Sequence, residues 1–239
     1  MPLPVKTPVT RTLLFLITSL FVIEIIVGGP PLLHPTQWGL IDINPNALQL
    51  LGAITGSTLF DRDWWRLIAV MFLHANVLHW AVNSWALYQL GSLYEAMFGA
   101  KRFLLVFFAT GLCASIASAI HIANTDHASV GASGAIFGIL GAFIFSIRRS
   151  QWRHEPWTRG LTRQLVFWGL LNLAVGASFA FIDNTAHIAG LLSGLLLGLV
   201  LPHRVPPPPP GRHVIDVQPY DDSPMPPRDG SASPFRDQP

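Results

Sequence analysis

Long apolar runs separated by short polar stretches dominate the chain as far as Leu201. A hydrocarbon core about 30 Å thick is crossed by about 20 helical residues. Six stretches fit that length: residues 12–28, 77–96, 102–123, 130–147, 164–182 and 185–201. The pattern predicts an all-α membrane protein, a bundle of six transmembrane helices. No small-residue cleavage site follows the first stretch, so it is expected to be a retained helix and not a targeting segment. Glu24 interrupts its apolar run; a carboxyl facing lipid is costly, so this side chain is expected to face the bundle or an interface.

Two segments break the pattern. Residues 29–63 form a long connection without a clear period, yet they carry Trp38, Leu40, Leu51 and Phe60. A loop this long without a period is expected to be functional or disordered, and one this apolar to dip into the membrane interface. Beyond Val205, five prolines (Pro206 to Pro210) open a tail rich in Pro, Asp and Ser. Such a composition cannot bury a core and predicts a disordered extension with polyproline II character at its start. An SH3-like partner would suit that tail, although an inert extension is the simpler expectation. The expected organisation is a short N-terminal segment (1–11), a membrane domain (12–204) and a Pro-rich tail (205–239).

Composition sharpens this picture. Of 239 residues, 12% are charged and 51% hydrophobic, against roughly 25% charged in a soluble domain. The +2 net charge and scattered arginines give no basic stripe, which excludes nucleic-acid binding as the main activity. Cys113 is the single cysteine, so neither a disulfide framework nor a thiolate metal site is expected. With the N-terminus placed in the cytoplasm, the six spans put 13 of the 15 basic residues on the cytoplasmic side, leaving Arg62 and Arg66 outside. That asymmetry predicts a multi-pass protein of the cell membrane with both termini cytoplasmic.

Polar residues inside apolar spans are the candidates for chemistry, since each needs a partner or a task. Ser133, in Gly131-Ala132-Ser133-Gly134, is expected in the first turn of the fourth span, where free N–H groups favour a developing anion. Taken alone, the string favours the packing reading, with Gly134, Gly138 and Gly141 at helical spacing as small-residue contacts. His187 opens the sixth span, ahead of Gly190, Gly194 and Gly198, whose spacing makes a smooth face for another backbone. Alone it would be a structural histidine; beside a serine at the same depth it becomes a general base. The topology puts both at the outer ends of their helices. His79 and Asn83, four apart, share a helix face there and suit oxyanion donation better than metal binding, because Asn is a poor transition-metal ligand. His74 fits a tie between the long loop and the bundle. Trp64, Trp65 and Arg66 fit anchoring at the membrane boundary. Asp183, four before His187, is the one aspartate to propose as a third member, but it lies at a loop edge. A Ser–His dyad is therefore favoured, with Phe137 one turn after Ser133 offering an aromatic surface to orient the imidazole. No metal or cofactor is expected.

Taken in order, these strings resemble the rhomboid family of intramembrane serine proteases, over about residues 64–201. The strings are Trp65-Arg66; His74 with His79 and Asn83; Gly91, Glu95 and Gly99 with Arg102-Phe103; Gly131-Ala132-Ser133-Gly134; and Ala186-His187 with Gly190 and Gly194. The resemblance implies Ser133 as nucleophile, His187 as base, and His79, Asn83 and the Ser133 N–H as oxyanion donors. It implies structural roles for Trp65 and Arg66 in a membrane-embedded first loop, and packing roles for His74 and Glu95. Many members carry Tyr where Phe137 stands, and Gly is common at the Asn76 position. The implied activity is cleavage of single-pass membrane proteins near the outer face, with the lipid bilayer as environment. Two rivals are a non-catalytic rhomboid-like factor that binds transmembrane helices, and a small transporter. The transporter would predict internal symmetry, and none is visible in the sequence.

Overall fold

The computed structural model describes residues 7–28, 42–150, 153–179 and 182–201. The expectations for the tail 205–239, for Trp38 and Leu40, and for Lys6, Arg204, Arg212, Arg228 and Arg236 lie outside the described residues.

Helix α1 (Pro8–Gly28) opens on a proline, which lacks the N–H that a first helical turn leaves unsatisfied. Its next two donors are capped from far along the chain. The Glu95 carboxylate accepts from the N–H of Val9 (3.0 Å), the N–H of Thr10 (2.8 Å) and the Thr10 hydroxyl (2.7 Å). Towards its other end, Glu24 is fully buried and faces the bundle, accepting the His74 backbone N–H on both oxygens at 3.3 and 3.2 Å. Two buried carboxyls thus pin α1 at both ends.

The connection that the sequence reads as an aperiodic loop contains regular structure from residue 45 onward. Helix α2 (Pro45–Leu51) is capped by the Asn44 side chain and terminated by Gly52 in the left-handed region at φ +115°. A short strand, β1 (Ile54–Thr55), pairs antiparallel with β2 (Ala128–Ser129). Helix α3 (Arg66–Ala69) then runs into a 3-10 turn at Val70–Phe72. Arg66 gathers this region: it donates to the Gln49 and Ala53 carbonyls and pairs with Asp63 at 2.8 Å. Trp65 lies under the guanidinium and against Gly52, where an added Cβ would stand 2.5 Å from the indole.

The second predicted span is a helix in three pieces: α4 (Val77–Ala86), a π-helical turn at Leu87–Gly91, and α5 (Ser92–Phe98). Asn76 caps α4 through the His79 N–H at 2.8 Å. Helix α6 (Ala100–His121) follows, then α7 (Ser133–Arg149), α8 (Pro156–Ser178) and α9 (Asn184–Val200). The predicted ends need correction at two of these. Helix α7 starts at Ser133 and not at 130, because the three preceding residues form the approach from β2. Helix α8 starts at Pro156 and not at 164, because Arg159 and Arg163 hide its first turns from an apolar window. Among the described residues, two helices, α1 and α6, are long and apolar enough to cross a membrane, and α9 is a shorter apolar helix.

Helix α7 is the centre of the bundle. It is apolar around its circumference, and such a helix belongs in a core; residues from Gly134 to Ile144 are buried. An aromatic cluster closes one end, where Tyr94 packs on Phe98 at 4.7 Å and on Phe143 at 5.5 Å. Along the α7–α9 seam the two backbones touch. A Cβ added at Gly190 would stand 2.0 Å from the Gly134 carbonyl oxygen, and one at Gly194 2.0 Å from that of Gly138. From the other side, a Cβ on Gly141 would stand 2.3 Å from the Leu191 oxygen. Only glycine permits this approach.

Candidate active site

That seam ends at Ser133 and His187. Ser133 is the first residue of α7, and His187 sits in the first turn of α9. The backbone contact at Gly134–Gly190 holds the two helix starts together, and the His187 Nε2 lies 2.8 Å from the Ser133 Oγ. Phe137, one turn beyond Ser133, lies flat against the imidazole, with ring centroids 4.4 Å apart and planes 15° from parallel. His187 is buried while Ser133 is half-buried.

The segment leading into Ser133 is held from three directions. Its strand β2 pairs with β1, the Gly131 N–H donates to the Val70 carbonyl at 3.0 Å, and the Ser129 hydroxyl donates to Asp183 at 2.8 Å. Gly131 takes φ +128°, a conformation open mainly to glycine. A Cβ there would lie 2.8 Å from both Cε1 and Nε2 of His79 and 3.7 Å from the Ser133 Oγ. The missing side chain is what lets the His79 ring and the hydroxyl share one small space. Ser133 also opens α7, where a helix supplies no acceptor for the first N–H groups.

Asn83 is buried one turn after His79, and its amide nitrogen donates to the His79 carbonyl at 2.9 Å. The His74 ring is buried in the extended chain ahead of α4, 5.1 Å from the His79 ring. Burial first, and then the charge of His79, press the His74 pKa down to about 3, against a smaller opposing contribution from the Phe72 backbone. The ring is neutral. Of the other residues singled out from the sequence, Glu95, Trp65 and Arg66 lie away from the hydroxyl, in the ties described above. Gly134, Gly190 and Gly194 form the seam. Among the described residues, no group of three His, Cys, Asp or Glu side chains converges as a metal site.

Two further residues stand near the imidazole: Asp183, which the sequence offered as a third member and set aside for its place at a loop edge, and Asn184, which it did not single out. Asp183 is the cap of α9, accepting the Ala186 N–H at 3.0 Å together with the hydroxyls of Ser118 and Ser129. Asn184 places its Oδ1 3.3 Å from the His187 Nδ1 and donates its Nδ2 to the Leu173 carbonyl of α8 at 3.1 Å. The spacing was the available signal: residues three apart share a helix face.

A mostly helical bundle with long apolar helices, carrying a serine and a histidine on adjoining helix ends, defines a membrane-type helical protein. The family model for the Rhomboid domain matches residues 61–204. The chain is 35% identical to Rhomboid protease GluP of Bacillus subtilis (strain 168) over 158 residues, 66% of this chain and 30% of that protein. It is 34% identical to RHOMBOID-like protein 7 of Arabidopsis thaliana over 172 residues, 72% of this chain and 51% of that one. It is 35% identical to Putative rhomboid protease YdcA of Bacillus subtilis (strain 168) over 151 residues, 62% of this chain and 73% of that one. The chain belongs to the rhomboid family. It spans 30% and 51% of the first two relatives, and the function common to the family is a protease or protease-like one.

Proposed function

We propose that this chain is an intramembrane serine endopeptidase that cuts single-pass membrane proteins within or beside their spanning helix. The observation that carries the reading is the 2.8 Å contact between the Ser133 Oγ and the His187 Nε2 at the adjoining ends of α7 and α9. The Ser133 hydroxyl attacks a substrate carbonyl while His187 takes its proton on Nε2. Charge on the former carbonyl oxygen is met by the His79 side chain, the Asn83 amide and the Ser133 N–H. His187 then returns the proton to the departing amine and leaves an acyl-enzyme. Water, activated by the same imidazole, hydrolyses the ester and restores the serine. Each oxyanion donor contributes by being in place before charge develops. The Gly131 gap beside His79 supports an oxyanion site there.

The same reading carries a topology. Six spans, both termini cytoplasmic, a first loop lying in the outer membrane interface and a site open to the outer side account for the charge asymmetry and for the water that hydrolysis needs. The protein would act in the cell membrane, without metal or cofactor, as a 12–204 membrane domain between a short N-terminal segment and a Pro-rich tail.

The test is cleavage of a single-pass reporter by the purified chain in liposomes, with labelling by a fluorophosphonate probe. Wild type cleaves and is labelled, whereas Ser133→Ala and His187→Ala lose cleavage to background. A chain that is never labelled, and whose Ser133→Ala variant behaves as wild type, would instead be a non-catalytic binder of transmembrane helices.

A further inference from the structure

We infer that Asn184 is a positioning residue that sets the tautomer and in-plane orientation of His187; the inference rests on the Ser133–His187 reading. To receive the hydroxyl proton at Nε2, the neutral ring must carry its own hydrogen on Nδ1. That N–H points at the Asn184 Oδ1, 3.3 Å away and one turn earlier on α9. Hydrogen bonds of catalytic groups are often this loose before substrate binds.

Which end of the Asn184 amide faces the ring is not arbitrary. Its nitrogen donates to the Leu173 carbonyl of α8 at 3.1 Å, and that bond turns the oxygen towards His187. Space for the amide is left by Gly176 on α8, where a Cβ would fall 2.2 Å from the Oδ1. The carboxylate next door is committed elsewhere: Asp183 accepts from Ser118, Ser129 and the Ala186 N–H. Stacking on Phe137 fixes the plane of the imidazole but permits a half-turn about Cβ–Cγ, which keeps that plane and exchanges Nε2 with Cε1. The Asn184 oxygen removes that rotation, and it favours the one neutral tautomer whose Nε2 is an acceptor. No proton leaves Nδ1 at any step; the amide only holds it, as the third group orients the base in other hydrolytic triads.

The full chain in lipid, labelled with 15N-histidine, tests this with Asn184→Ala and Asn184→Asp. Asn184→Ala is expected to lower kcat roughly 10- to 100-fold with KM unchanged. The His187 signals should move from the Nδ1–H tautomer to a mixture. Asn184→Asp keeps an acceptor for Nδ1–H but loses the donation to Leu173, and it is expected to return kcat to within a few-fold of wild type. Wild-type kcat and tautomer in Asn184→Ala overturn the inference and leave the Ser–His reading standing. If Asn184→Asp is as impaired as Asn184→Ala, the residue is a tether to α8, and the inference fails. A wild-type chain that neither cleaves the reporter nor takes the fluorophosphonate overturns both.

Discussion

The α7–α9 seam and helix α8 show two ways of belonging to one bundle. Along the seam, backbone meets backbone through Gly134, Gly138, Gly190 and Gly194, and no side chain stands between the helices to be repacked. Helix α8 buries only Thr158, Leu165, Gly169 and Gly176, while Phe167, Trp168, Leu170 and Val175 are exposed. Lipid rather than protein suits that outer face. The seam is a fixed distance, whereas α8 is a sparsely held neighbour. A serine and an imidazole that must stay within hydrogen-bonding reach are found on the fixed pair.

The contrast can be broken most severely at its rigid side. Gly194→Val inserts a branched side chain where even a Cβ would be 2.0 Å from a carbonyl oxygen. The helices must part, and a misplacement of about 1 Å at reacting groups costs about 100-fold. Reporter cleavage is expected to fall at least that far, with a lower unfolding midpoint in detergent. Gly131→Ala acts without separating the helices. Its methyl enters the space shared by His79 and Ser133 in a backbone conformation that alanine rarely adopts. The expected loss is about 10²-fold in kcat, comparable to removing one oxyanion donor, with little change in KM.

Smaller effects should come from outside the seam. Glu95→Ala uncaps α1, a loss of about 1 kcal/mol. Thermal unfolding should shift down by about 2–4 °C while activity per folded molecule is retained. Leu170→Ala, on the exposed face of α8, should alter stability by no more than about 0.5 kcal/mol. An effect there as large as that of Gly194→Val would erase the distinction between the two regions.

How far the sequence could be read follows the same physics. Glycines at helical spacing announce close packing, and a serine or histidine in an apolar run stands out because lipid tolerates neither without a reason. The seam and its two polar ends were therefore legible. Asn184 was not, because a polar residue beside Asp183 at a helix start reads as capping. The partner of Glu24 is a backbone N–H, and backbone groups leave no mark in sequence. The β1–β2 pair spans two residues on each side, too short for any period. The first turns of α8 were obscured by arginines, which an apolar window treats as the end of a span.

The cap on α1 has a consequence for how the molecule is made. The carboxylate that satisfies the N–H of Thr10 lies 85 residues further along the chain. During synthesis the first helix emerges long before the carboxylate that caps it, with Thr7 the local residue at its cap position. The Glu95 contacts to Val9 and Thr10 form only once α5 has been made and folded back against this end. Formation of this helix and its final seating against the bundle are thus separate events in time.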